Sequence, residues 1–138
     1  FCQNETVNLI LSSFATKAKQ ANIMFIVEAK LPDSLPLSDI ELCSLLSNAL
    51  ENAVHACQNI ADSGKRYIQL RIYRKNNKLC IDLRNSYQTE PIFYKGLPVT
   101  NEAGHGFGTK SMAHIVEKHG GIYRFLIKDG LFVFQATT

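Results

Sequence analysis

The run from Ser38 to Cys57 constrains this chain more than any other stretch. Ser38-Asp-Ile-Glu41 is followed by Leu42, Leu45, Leu46, Ala49, Leu50, Ala53, Val54 and Cys57. The spacing S-x-x-E is a capping box, in which serine and glutamate satisfy each other's backbone N–H at a helix start. The apolar residues then recur at helical spacing, predicting a helix over about 39–60 with a wide apolar face. Such a face must be buried against another layer. A chain of 138 residues has room for one core, so residues 1–138 read as a single domain.

The rest of the chain supplies that layer. Val7, Ile10, Leu11, Phe14 and Ala18 repeat at helical spacing and predict a helix over about 4–20. Ile23 to Val27 suits a buried strand, and Pro32 and Pro36 bound a loop. Asp62-Ser-Gly64 closes the long helical segment. Residues 67–73 and 79–83 alternate as strands about an Asn76-Asn77 turn. Residues 86–103 show no periodicity and carry Pro91, Gly96 and Pro98; a loop this long inside a compact domain is usually functional. A helix follows from Thr109 to His119, stopped by Gly120-Gly121. A second hairpin, 122–127 with 131–135, turns at Asp129-Gly130. This order predicts a two-layer α/β sandwich: a mixed, mostly antiparallel sheet covered on one face by three helices. It excludes an alternating, doubly wound parallel sheet.

Composition narrows the function. A chain 46% hydrophobic and 20% charged is that of a packed domain. The net charge of +3 comes from scattered basic residues, so no nucleic-acid partner is expected. No apolar run approaches the ~20 residues that span a bilayer, and no membrane contact is expected of this domain. Cys2, Cys43, Cys57 and Cys80 form no CxxC pair and read as free thiols in a reducing compartment. The first residue is Phe1, so the chain reads as a piece of a longer protein.

Three constellations carry chemistry. On the long helix, Asn48, Glu51, Asn52 and His55 fall on one face at i, i+3, i+4 and i+7. Asparagine suits metal-phosphate work: its oxygen can coordinate Mg²⁺ without adding negative charge. Two asparagines in mid-helix are also poor helix formers, which tilts the stripe from a plain solvent face toward binding. The second is Gly104-His-Gly-Phe-Gly-Thr-Lys110. Alternating glycines let backbone N–H groups turn toward an anion, the next helix offers its positive end, and Lys110 adds a point charge. The third is Leu83-Arg-Asn-Ser86, where Asn85 ends a buried strand just before the long loop. Its amide can both donate and accept, matching the edge of a purine.

Together these resemble the GHKL, or Bergerat-fold, ATPase superfamily. Leu-Leu-Ser-Asn48-Ala-Leu-Glu51-Asn52-Ala-Val-His-Ala looks like its N-box, and Gly104-His-Gly-Phe-Gly108 with Thr-Lys-Ser-Met looks like its second glycine box. The chain is most similar to the ATP-binding catalytic domain of sensor histidine kinases of the peptide-pheromone, quorum-sensing receptor type. The resemblance implies Mg²⁺ coordination by Asn52 and phosphate contact by Asn48, with His55 as a basic residue nearby. It implies that Gly104, Gly106, Gly108, Thr109 and Lys110 line the triphosphate and that 86–103 is the ATP lid. The usual first glycine box, D-x-G-x-G, is altered here to Asp82-Leu-Arg-Asn85-Ser-Tyr. Asn85 best matches the adenine-reading Asp, with Asp82 as the rival.

The resemblance also implies the reaction. Where gyrase-type members keep a water-activating Glu, this chain has Asn48, and an amide cannot act as general base. ATP hydrolysis is expected to be slow and phosphotransfer favoured. His55, His105, His114 and His119 all lie in the nucleotide segments or the helix after them. The acceptor histidine is therefore expected on a separate dimerisation domain of a cytoplasmic, homodimeric and membrane-anchored sensor, with a response regulator downstream. An anti-sigma-factor-type serine kinase and a non-catalytic nucleotide-binding module are the alternatives.

Overall fold

The computed structural model describes residues 4–31, 34–99 and 105–138. In chain order these form α1 (Glu5–Gln20), β1 (Met24–Ala29), α2 (Asp39–Gln58), a 3₁₀ turn (Ser63–Lys65), β2 (Tyr67–Lys75), β3 (Lys78–Asn85), β4 (Ile92–Tyr94), β5 (Leu97–Val99), α3 (His105–Lys118), β6 (Ile122–Lys128) and β7 (Leu131–Thr137). Five strands make one sheet in the order β1-β2-β3-β7-β6, and β4 pairs with β5 separately. β1 runs parallel to β2, and the remaining pairs are antiparallel. A parallel pair needs a long crossover, which α2 provides, whereas the β2–β3 and β6–β7 pairs close through two-residue turns. Asn76 and Asn77 have φ of 53° and 62°, and Asp129 and Gly130 have 54° and 74°. These are the positive-φ pairs that the two hairpin turns require.

α2 forms as its sequence dictates. Ser38 Oγ accepts from Glu41 N at 3.1 Å, and Ser38 N donates to Glu41 Oε1 at 3.2 Å, completing the capping box. The eight apolar residues named above are all buried along its length. Leu42, Leu45, Leu46 and Leu50 are wholly inaccessible to solvent, and each contributes roughly 1.5–3 kcal/mol by leaving water. The helix stops at Gln58, slightly before the apolar pattern runs out. There Arg66 intervenes: its guanidinium donates to the Ile60 and Ala21 carbonyls, pinning the ends of α1 and α2 beside the start of β2.

One face of the sheet meets the helices. Leu70, Ile72, Ile81, Leu83, Phe134 and Ala136 share a core with Val7, Leu11 and Phe14 of α1, the apolar face of α2, and Met112, Ile115 and Val116 of α3. The alternating positions carry a polar row across the other face. Arg71 donates to Glu28, Arg124 to Gln135, and both Arg84 and Gln135 to Asp82. Among the described residues, no helix is long and apolar enough to cross a membrane.

The stretch 86–103 differs from the sequence expectation of an aperiodic loop. Its described part holds the β4–β5 hairpin, turning at Lys95 (φ 52°) and Gly96 (φ 79°). Strands of three residues are too short to show alternation, and Pro98 within β5 masks the signal. A proline is tolerated in a hairpin that has free edges. Phe93 of β4 stacks on Phe132 of β7, with ring centroids 6.1 Å apart, and so docks the hairpin onto the sheet.

Glu41 joins two helices besides capping one. Its Oε2 accepts from Lys118 Nζ at 3.0 Å and meets His119 Nε2 at 2.9 Å, tying the N-terminus of α2 to the C-terminal end of α3. The His119 and Lys118 contacts, followed by the Ser38 N–H, hold the Glu41 carboxyl well below the usual carboxylate range. A depressed folded-state pKa means stability that is present above the ordinary value of about 4.5 and lost as pH falls beneath it. Glu41→Gln retains a capping residue but not the charge. Its melting temperature should fall below wild type at pH 7, and the gap should narrow progressively as pH falls beneath about 4.5. A gap that persists unchanged at pH 3 would exclude the ion pair as its cause.

Candidate functional site

The second face of α2 is polar. Asn48, Asn52 and His55 are half-buried along it, whereas Glu51 is exposed to solvent. The sequence grouped these four residues, but the structure separates Glu51 from the others. α3 packs across this stripe and presents Gly108 to it. A Cβ at Gly108 would lie 3.5 Å from Asn48 Oδ1 and 3.6 Å from Asn52 Oδ1. Asn52 Nδ2 would lie 3.7 Å away, so the missing side chain leaves a cradle against the Asn48 oxygen and both ends of the Asn52 amide.

α3 begins at His105, so Gly106 and Gly108 lie in its first turn rather than ahead of it. A glycine costs a helix only about 1 kcal/mol, and the buried Met112, Ile115 and Val116 anchor this one. Gly104 lies outside the described residues.

Beside the cradle opens a cavity of about 600 Å³. Asn52, His55 and Ala56 of α2 with Asn59 at its C-terminal cap form one wall, Asn85 and Phe132 the floor on the sheet, and Thr109 the wall on α3. Residues 87–92 with Pro98 and Val99, from the stretch expected to be the lid, complete it. Lys110 is exposed and does not line the cavity. Among the described residues, no group of three or more His, Cys, Asp or Glu side chains converges to hold a metal.

The end of β3 is positioned with care. Asn85 is 2% exposed, and its Nδ2 donates to the Ser86 carbonyl at 2.9 Å. Ser86 Oγ accepts from Tyr67 N at 2.9 Å, holding the turn against β2. Cys57 of α2 packs under the same turn, near the Tyr67 carbonyl and Ser86. Burial pushes its thiol above the usual range, so it stays protonated and unreactive at neutral pH. Burial, then Glu90, likewise raises the Tyr87 phenol, leaving it a neutral donor. Asp82 lies elsewhere, in the polar row on the open face, and does not line the cavity. Burial there would raise its carboxyl, but the bonds from Arg84 and Gln135 outweigh burial and lower it.

Several lining residues escape the sequence reading. Tyr87, Gln88, Ile92 and Val99 belong to the stretch singled out for its length, but nothing local marks them as individuals, and Pro91 and Pro98 stood out there only as breaks in periodicity. Phe132 has no signal of its own; it reaches the cavity because β7 pairs with β3 in the register that sets Phe132 opposite Asn85. Met112 is likewise invisible to motif reading, yet its sulfur accepts from Asn52 Nδ2 at 3.9 Å.

Two helices of a three-helix layer flanking a cavity at a strand end define an α/β sandwich with that cavity between α2, α3 and the sheet. The chain belongs to the GHKL domain family, whose model matches residues 37–138. The fold is that of histidine kinase catalytic domains. The nucleotide-free catalytic domain of histidine kinase ThkA superposes with a TM-score of 0.77 at 22% identity, covering 99% of this chain and 91% of that one. A mycobacterial sensor histidine kinase, MprB, gives 0.70 at 17% identity, covering 96% and 92%. The Acinetobacter baumannii histidine kinase AdeS gives 0.69 at 11% identity, covering 96% and 61%. No curated protein sequence matches the chain.

Proposed function

We propose that this chain binds Mg·ATP and donates the γ-phosphate to a histidine on a separate dimerisation domain, as the catalytic domain of a two-component sensor kinase. The cradle at Gly108 carries this reading, because it opens against the Asn48 and Asn52 amides at the edge of a cavity large enough for a nucleotide. Asn52 and Asn48 fit Mg²⁺: a hard cation takes oxygen ligands, and Mg²⁺ is commonly held by few protein groups together with water and substrate phosphates. Bound there, the ion would neutralise charge on the transferring phosphoryl group.

The chain's own residues supply position and electrostatics, which phosphoryl transfer chiefly needs. Asn85, with its amide fixed by Ser86, supports base recognition better than Asp82, whose oxygens are already taken by Arg84 and Gln135. Phe132 and Ile92 offer apolar surface for the base. Asn48 cannot take a proton from water, and Glu51 points to solvent. The site thus lacks a base at the place where hydrolytic relatives keep one, which favours a protein acceptor over water. Within the kinases we assign the chain to the peptide-pheromone, quorum-sensing receptor type, from a homodimeric, membrane-anchored sensor acting on a response regulator. That assignment rests on the N-box and the altered Asp82-Leu-Arg-Asn85 strand end.

The test is binding of a fluorescent ATP analogue with and without Mg²⁺, then phosphotransfer to an added dimerisation-domain fragment. Asn52→Ala should weaken Mg²⁺-dependent binding by about tenfold or more, the loss of one charge-assisted contact. Wild type should label the acceptor histidine. Tight nucleotide binding with no transfer would sink the kinase assignment, and unchanged binding in Asn52→Ala would sink the metal site.

A further inference from the structure

The two edges of the five-stranded sheet are finished differently. β6 carries Arg124 and Lys128, and β5 lies against it. Charges and a covering element are the usual means of keeping a sheet edge from pairing with another chain. β1 has neither. Its sequence, Met24-Phe-Ile-Val-Glu-Ala29, holds no proline, lysine or arginine, and among the described residues only β2 pairs with it. Met24 N donates to the Arg66 carbonyl and Lys30 N to the Ile72 carbonyl. In a parallel ladder the alternate residues between them therefore turn both backbone groups toward β2. Phe25, Val27 and Ala29 turn theirs outward. The side chains of Phe25 and Val27 pack against the core, whereas Met24 and Ile26 are 62% and 43% exposed on the open face. Glu28, the one charge on the strand, is paired with Arg71 of β2.

We infer that β1 is a self-association edge, which pairs antiparallel with β1 of a second copy of this chain about a two-fold axis at Ile26. The strand is complementary to its own inverse in this register. Phe25 of each copy meets Val27 of the other, and each such pair exchanges both its backbone hydrogen bonds. An aromatic and a β-branched side chain then lie opposite each other on the core side, a favourable cross-strand pair. On the open face the two Ile26 side chains meet directly, at a non-hydrogen-bonded position where Cα atoms approach to about 4.5 Å. Met24 falls opposite Glu28 of the second copy, whose charge Arg71 already balances. Neighbouring registers fit less well. An axis at Phe25 would set Val27 against Ile23, whose N–H is already given to the Ala18 carbonyl. An axis at Val27 would set Ile26 against Glu28. A shift by one residue would oppose core-side positions to open-face ones. β1 contributes nothing to the cavity, so pairing leaves it open in both copies.

The test uses the 138-residue chain itself. Sedimentation velocity over a concentration series should show a monomer–dimer equilibrium with a dissociation constant on the order of 100 µM, because so short an edge buries less than a standard interface. Ile26→Lys sets like charges directly opposite and should raise that constant about tenfold or more. The dilute variant should melt as wild type does, since this side chain is exposed. Ile26→Cys should cross-link two copies through a disulfide under a mild oxidant, because the Cα separation lies within the range that a disulfide spans. Met24→Cys presents the more exposed thiol, but in this register it lies roughly 13 Å from its own counterpart. It should stay at the background that the native cysteines give in wild type. A wild-type protein that is monomeric up to about 1 mM leaves the edge to some other chain and overturns the inference. Dimerisation undiminished in Ile26→Lys also overturns it, as does cross-linking of Met24→Cys as efficient as that of Ile26→Cys, the mark of random collision. None of these readouts involves nucleotide, so the Mg·ATP reading stands or falls separately.

Discussion

Gly121→Ala should lower the melting temperature by on the order of 10 °C. A methyl group at this position would lie 2.4 Å from the Thr137 carbonyl oxygen and 3.0 Å from Val116 Cγ1. The first neighbour is backbone, held in the β6–β7 ladder where Ile122 pairs with Thr137. It cannot move without breaking that register, and Gly121 N is itself bound to the Val116 carbonyl. Overpacking of this kind costs roughly 3 kcal/mol, a large share of the stability of a domain this size. Gly120→Ala is the control. Its Cβ would meet nothing, but its φ of 69° favours glycine, so the cost should be about 1 kcal/mol. Thermal denaturation distinguishes the two: equal shifts would mean that backbone conformation, and not the clash with Thr137, makes this junction glycine.

Gly108→Ala should have the opposite profile, with Mg·ATP affinity reduced about 100-fold and the fold intact. The new methyl would contact the Asn48 and Asn52 amides at 3.5–3.7 Å, ordinary van der Waals distances. It therefore fits the apo protein. Alanine is also the better helix former, so stability should stay level or rise by up to about 1 kcal/mol. What the methyl does is fill the cradle against the two amides. A cation bridging them to phosphate would be displaced, losing contacts worth roughly 1.5–3 kcal/mol each. Calorimetric unfolding without nucleotide, together with titration of Mg·ATP, would show the separation. Undiminished affinity in a stable Gly108→Ala protein would move the phosphate site elsewhere. Gly108 within α3 and Gly121 beyond its end are thus expected to fail in different ways, because Gly121 faces backbone and Gly108 faces the proposed phosphate site.

Much of the architecture was legible before any coordinates. The extent of α2, its capping box and its eight buried residues follow from side chains a few positions apart. The turns at Asn76-Asn77 and Asp129-Gly130 follow from residues that tolerate positive φ. These are local rules, and local rules can be read along a chain. So could the polar stripe of Asn48 and Asn52, since any helix places residues four apart on one face. Local rules reached less far in the stretch 86–103, where three-residue strands carry no periodicity. They also missed the early start of α3, which tertiary packing extends through Gly108.

Pairings between distant residues were beyond them. Nothing local brings Phe132 beside Asn85, Glu41 to His119, or Met112 to Asn52, the last two pairs lying 78 and 60 residues apart. Each depends on the β3–β7 register or on α3 crossing α2, and those are settled by the burial of the whole core. The sequence by itself determined which elements form and which amides are available. The tertiary structure alone decided what those amides face, because only the packing of α3 across α2 brings Gly108 against Asn48 and Asn52.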